Sequence, residues 1–213
     1  MSVYSNFRNP VGNNLIASLP PQEYERLLPN LEPVTLFLKQ VLYQLNEPIE
    51  YAYFPNSAVC SLLTLLEDGQ AVEAATVGKE GMIGVSLLLG ATQIPLQAIV
   101  QVAGDGLRMK ADIFKTEVYW GCPLHTLLLL YTQTLINQIS QTSACNRLHS
   151  VEARCCRWLL MTQDRVESDC FALTQEFLSY MLGVRRASVS DVAATFQKSG
   201  LIYHRGKITI QDR

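Results

Sequence analysis

None of the six cysteines forms a CxxC pair, and the three histidines, His125, His149 and His204, stand alone. Clusters with metal-ligand spacing, a Gly-rich phosphate loop and a nucleophile–base arrangement are also missing. These absences argue against a metal site, a cofactor and an enzyme. The opening MSVYSNFRNPVGNN has no apolar core of the kind a secretory signal needs. A reduced, cytoplasmic compartment is therefore expected, with most thiols acting as small buried hydrophobes. Adjacent Cys155 and Cys156 would point to different faces of a helix. Formal charge is missing from residues 81–104, and from 118–146 apart from His125. Length alone would let either run span a bilayer. The first, however, is broken by Gly84, Gly90, Pro95 and glutamines, and the second turns polar after Thr132. No membrane segment is expected.

What charge there is lies unevenly. The chain carries a net −2, yet residues 171–213 hold six Lys or Arg against three acids, a local net of +3. This segment reads FALTQEFLSYMLGVRRASVSDVAATFQKSGLIYHRGKITIQDR. Thr174 is a good N-cap, with Glu176 in the first turn where a negative charge suits the helix dipole. Phe177, Leu178, Met181 and Leu182 supply a buried stripe, and Gly183 makes a tight turn. Val189, Val192, Ala193 and Phe196 then recur at helical spacing, and Gly200 ends this second helix. Residues 201–203 and 208–210 read as strands around the turn His204-Arg205-Gly206-Lys207. A helix-turn-helix whose second helix is basic at its tip, followed by a basic hairpin, fits a DNA major groove. The candidate DNA contacts are Thr174, Gln175, Arg185, Arg186, Ser188, Ser190, Lys198, Arg205 and Lys207. A plain helical packing module is the competing reading, and the local charge argues against it.

The rest of the chain has ample apolar material for a core. Residues 14–31 hold a short helix, with Ser18 as its cap and Pro20-Pro21 in its first turn. From Val34 to about Phe114 the pattern is of short strands: 36–38, 41–43, 51–54, 58–66, 71–77 and 98–102. Asp68-Gly69 is a hairpin signal between two of them. A closed sandwich or barrel-like roll is expected. A long helix follows from about Leu124 to Arg147. Leu128, Tyr131 and Leu135 lie on one stripe, and Leu129, Ile136 and Ile139 on its neighbour. Two apolar stripes need two partners: the chain's own β-domain and a second copy of the helix. Leu128, Tyr131, Leu135 and Ile139 are the expected dimer contacts. Ser150 caps a further helix bearing Val151, Cys155, Trp158 and Leu159.

The whole chain resembles the Crp/Fnr family of bacterial transcription regulators. The most specific stretches are VLYQLNEPIEYAYFPNSAVCSLLTLLEDGQAVEAATVGKEGMIG (41–84) and LTQEFLSYMLGVRRASV (173–189). The resemblance implies an α+β architecture in three parts. An N-terminal antiparallel β-roll of the cyclic-nucleotide-binding type would span 1–120, a dimerisation helix 121–147, and a winged helix-turn-helix 148–213. It also implies a homodimer on a two-fold symmetric operator in double-stranded DNA, contact with RNA polymerase, and a small-molecule effector of unknown identity, if there is one.

Departures from the family pattern are informative. Relatives that bind cyclic nucleotides have a Gly-Glu pair for the ribose and a downstream Arg for the phosphate. Here Gly84 is followed by Val85, and Leu96 stands where that Arg should be. A buried phosphate without a cation is costly, so control by cyclic nucleotide is not expected. The N-terminal cysteine cluster of the iron–sulfur branch is missing, since the first cysteine is Cys60, and no His matches the haem branch. Arg186 aligns with the family's guanine-reading Arg, Ser188 with a phosphate-holding hydroxyl, and Thr174 with a backbone-contacting cap. Ala187 replaces a usual Glu, and Asp191 a usual basic residue. Two other readings stay open: a sensing or protein-interaction module that no longer binds DNA, and a cyclic-nucleotide-responsive regulator with an atypical pocket.

Overall fold

The computed structural model describes residues 12–67, 69–197, 200–204 and 206–213, with His204 described in its backbone alone. The Asp68 half of the hairpin signal and the candidate contacts Lys198 and Arg205 therefore lie outside the described residues. Two short helices, α1 (Asn14–Ala17) and α2 (Pro21–Leu27), open the described chain and lead through one 3-10 turn to the first strand. Ser18 is not the N-cap expected for the Pro20-Pro21 helix: it closes the C-terminal end of α1, and Pro20 stands at the start of α2. The buried Asn13 caps α1 by accepting from the Leu15 and Ile16 amides, while the Ser18 hydroxyl bonds back to the Asn14 carbonyl. Arg26 of α2 hydrogen-bonds Glu23 and holds the Glu117 carbonyl at 2.9 Å.

The β-roll has two antiparallel sheets. It is built from β1 (Glu32–Leu36), β2 (Val41–Tyr43), β3 (Tyr51–Pro55), β4 (Val59–Leu65), β5 (Ala71–Val77), β6 (Gln97–Val102) and β7 (Gly104–Lys110). One sheet has the order β1-β7-β3 and the other β2-β6-β4-β5. An isolated bridge joins Tyr53 to Ile83. Two expectations fail here. The first strand ends at Leu36, where residues 36–38 were expected to be extended, because Lys39 turns the chain at φ 66. β7 was not anticipated: GDGLRMK alternates apolar and polar residues only over its last four positions and has no β-branched residue, and β1 and β3 pair with it on both sides. β4 is buried along most of its length because both of its faces are covered. Leu62 looks into the roll, and Leu63 meets the C-terminal unit across a register shift.

After α3 (Ala111–Glu117), the long helix α4 runs from Pro123 to Leu148. Its inner stripe completes the roll's core. Leu128 is fully buried, and the Tyr131 hydroxyl reaches the Met82 carbonyl at 3.2 Å. The Tyr131 ring lies so close to Gly81 that any Cβ there would collide with it. This corrects the dimer assignment. Leu128, Tyr131 and Leu135 are buried against the chain's own roll, and Ile139 is half-buried against the same core. The stripe left open carries Leu129, Leu130 and Ile136, the last two 65% and 51% exposed.

The C-terminal unit comprises α5 (Val151–Val166), β8 (Cys170–Ala172), α6 (Gln175–Leu182), α7 (Arg186–Phe196), β9 (Leu201–His204) and β10 (Lys207–Ile210). It packs on the outer face of the four-stranded sheet. Leu63 and Ile99 share one core with Trp158, Leu159, Met181 and Leu182. Two ion pairs flank this contact, Lys79 with Glu167 and Glu80 with Arg165.

Candidate nucleic-acid interface

The helix-turn-helix is set by local chemistry. Ser150 caps α5 by accepting from the Ala153 amide at 3.2 Å, and Thr174 caps α6 by accepting from the Phe177 amide at 3.1 Å. Phe177, Leu178, Met181 and Leu182 are all buried, as their spacing predicts. Gly183 then turns the chain at φ 61, a left-handed conformation that suits glycine, and its amide closes α6 onto Tyr180. Arg185 is the extended residue that precedes α7, and Arg186 is that helix's first residue. Val189 is buried and anchors α7, with Val192 and Phe196 half-buried behind it. α7 stops at Phe196 with Gln197 as its cap. Gly200 lies beyond this end, just before β9, and does not close the helix as expected.

Packing Val189 inward sends the N-terminal end of α7 outward. Arg185, Arg186 and Ala187 are exposed, and Ser188 is half-buried. Neither arginine forms an ion pair among the described residues. A guanidinium without a carboxylate partner keeps its donors free for phosphate or a guanine edge.

The wing comes to the same region. β10 pairs with β9 and also with β8, giving the order β8-β10-β9. β8 was not anticipated, being a three-residue strand without a turn signal. The Leu173 amide donates to the Gly206 carbonyl at 2.9 Å, which ties the tip of the wing to the start of α6. Tyr203 adds a second tie by accepting from the Gln175 amide at 3.3 Å. Exposed Lys207 therefore stands near Thr174. Gln175 and Ser190 take another part. The Ser190 hydroxyl donates to Gln175 Oε1 at 2.8 Å, a bond between α6 and α7 that holds the angle of the second helix.

Residues 153–213 match the Crp-like helix-turn-helix domain. Most of the chain shares its fold with solved structures. One is the c-di-GMP responsive global regulator CLP of Xanthomonas campestris, with 12% identity, TM-score 0.73, and cover of 91% of this chain and 100% of that one. FixK2 of Bradyrhizobium japonicum has 16% identity, TM-score 0.71, and cover of 86% and 93%. A Crp/Fnr-family transcriptional regulator of Thermus thermophilus has 19% identity, TM-score 0.67, and cover of 85% and 94%. The chain carries a Crp-like helix-turn-helix domain on the Crp/Fnr fold. No curated protein matches it in sequence.

The segment after Gly84 is a single 3-10 turn, Val85–Leu87. Leu96 is half-buried, and residues 81–104 supply no charged group. Two cations could have substituted for the missing Arg, and both are engaged elsewhere. Lys79 pairs with Glu167. Arg108 bonds Glu32 at 3.0 Å and stacks 4.3 Å from the Tyr51 ring centroid. Among the described residues no group of three or more His, Cys, Asp or Glu could hold a metal ion, and no helix is long and apolar enough to cross a membrane.

Proposed function

We propose that this chain is a sequence-specific, DNA-binding transcription regulator of the Crp/Fnr type that works as a homodimer in the cytoplasm without control by cyclic nucleotide. The observation that carries this reading is the exposed N-terminal end of α7. It presents Arg185 and Arg186 without acidic partners among the described residues, on a Crp-like domain, beside a wing bearing Lys207. Thr174 and Ser188 would hold phosphates, and Arg186 would read a base. Gln175 and Ser190 support the geometry through their mutual hydrogen bond. Pairing of two copies falls to the Leu129–Leu130–Ile136 face of α4, which is apolar, exposed and on the longest helix of the chain. Two recognition helices in such a dimer would address two half-sites of a symmetric operator.

Selection from random double-stranded DNA tests the proposal. Enrichment of a two-fold symmetric site whose affinity falls steeply with salt is the expected outcome. Recovery of no sequence preference, with weak binding that Arg185→Ala and Arg186→Ala leave unchanged, would sink it and favour a module that no longer binds DNA.

A further inference from the structure

A closed hydrogen-bond network crosses from the β-roll into α5, and its centre is a carboxyl group. Glu73 of β5 is buried and forms no ion pair among the described residues. Its Oε2 lies 2.6 Å from Ser61 Oγ of β4 and 3.2 Å from the Trp158 indole nitrogen of α5. Its Oε1 accepts from Thr76 Oγ1 at 2.5 Å. The network continues from Ser61 to Gln101 Oε1 at 2.8 Å and from Gln101 Nε2 to Thr162 Oγ1 at 2.6 Å. It ends where the Thr162 hydroxyl meets the Trp158 carbonyl at 2.9 Å.

We propose that Glu73 is a proton-linked latch between the β-roll and the helix-turn-helix unit. Its carboxyl is protonated at neutral pH, and its ionisation reverses the chain of hydrogen bonds that ends in α5.

Proton counting leads to this assignment. A carbonyl can only accept, so the single Thr162 hydroxyl proton goes to Trp158. Thr162 Oγ1 is then an acceptor, which turns the Gln101 amide nitrogen toward it and the Gln101 oxygen toward Ser61. The Ser61 proton is used on that oxygen. The 2.6 Å contact between Ser61 and Glu73 is left without a proton unless Glu73 supplies it. With Glu73 as the acid, every link has one donor and one acceptor. Ionised Glu73 would need the Ser61 proton. The Gln101 amide would then turn over, and Thr162 would give up the Trp158 carbonyl to donate to Gln101. A charge formed in the roll would thus be felt in the helix that docks the C-terminal unit.

The surroundings favour the neutral acid. Burial pushes the Glu73 carboxyl above its ordinary range against the pull of its donors and of Arg165. The cations that approach from α5 are held by other groups. Arg165 pairs with Glu80, Arg154 bonds Asn146 and the Leu182 carbonyl, and Arg157 bonds Thr142. From α4 the thiol Cys145 lines this junction, and from α6 the apolar Met181 and Leu182 do.

The experiment needs no DNA, so its failure is separate from failure of the DNA-binding reading. Infrared spectra at neutral pH should show a carboxylic-acid carbonyl band that Glu73→Gln lacks. A spectrum with only carboxylates overturns the proposal. In a Trp120→Phe background Trp158 is the sole tryptophan, and its fluorescence should titrate with the loss of that band. Thr162→Val releases Gln101 and should lower the midpoint by about one pH unit, tenfold in proton affinity, while Thr162→Ser keeps it. A midpoint unmoved by Thr162→Val would show that the network does not couple the two units.

Discussion

At the scale of single residues, two neighbouring arginines should have separable roles. The two stand in different backbone conformations at the tip of α7, and we assign them different roles. Arg186 is the first helical residue, while Arg185 sits in extended backbone just before it. Arg186→Ala should cost about 1–3 kcal/mol per half-site and relax the preference at one symmetric pair of positions. Arg185→Ala should weaken all sequences evenly and reduce the salt slope by about one per half-site. Affinities against a guanine-substituted operator set at two salt concentrations check both. Relaxed preference in Arg185→Ala alone would exchange the roles. Both variants should keep their fold, because neither side chain is part of the buried Val189 side of α7. Glu73 gives a second test at this scale. Burial raises its folded pKa above the ordinary 4.5. Its stabilising contribution is therefore complete at acid pH and is lost as pH rises through the folded value. Glu73→Gln cannot ionise, so its melting temperature should gain on the wild type as pH rises. A constant difference from pH 5 to 9 would mean that the native carboxyl does not titrate there.

At the scale of elements, α4 has two apolar stripes with different jobs. Leu128 is fully buried, so Leu128→Ala should destabilise the fold by about 2–5 kcal/mol in denaturant unfolding. Ile136 is half exposed on the neighbouring stripe, so Ile136→Asp should leave the circular dichroism spectrum intact yet shift sedimentation from dimer to monomer. A monomeric wild type, or an Ile136→Asp protein that stays dimeric, would place the interface elsewhere. The periodicity of α4 was legible in the sequence, but which stripe faces inward was not. Leu128 and Leu129 are equally apolar, and the choice was made by Gly81 and Met82, far away in sequence, where Tyr131 finds room and an acceptor. The same distinction runs through the fold. Thr174, Gly183 and the Val189 stripe act through near neighbours, and they were read correctly. β7 and β8 are paired by strands from elsewhere in the chain, while GDGLRMK alternates over four residues only and CFA is too brief to signal a strand. The Glu73 network was invisible for the same reason, since its members come from β4, β5, β6 and α5.

At the scale of the whole molecule, the question is whether the roll has room and charge for a cyclic nucleotide. The roll and the inner face of α4 form one apolar core that includes Tyr43, Met82, Leu124 and Tyr131. Burial holds the Tyr43 and Tyr131 phenols well above their ordinary range, as expected of rings sealed from water. A cyclic nucleotide would bring a phosphate into this interior, where residues 81–104 offer no cation and where Lys79 and Arg108 are already paired. An unpaired buried charge costs several kcal/mol, enough to remove a micromolar affinity. Cyclic AMP and cyclic GMP should therefore leave the melting temperature unchanged at millimolar concentration. The measurement is sensitive enough to decide. A ligand present at 100 times its Kd would add about 2.7 kcal/mol. For a chain of this size that corresponds to a rise of roughly 5–10 °C. A shift of that order with either nucleotide, together with its loss in Arg108→Ala or Lys79→Ala, would mean that one of these cations leaves its carboxylate to take the phosphate.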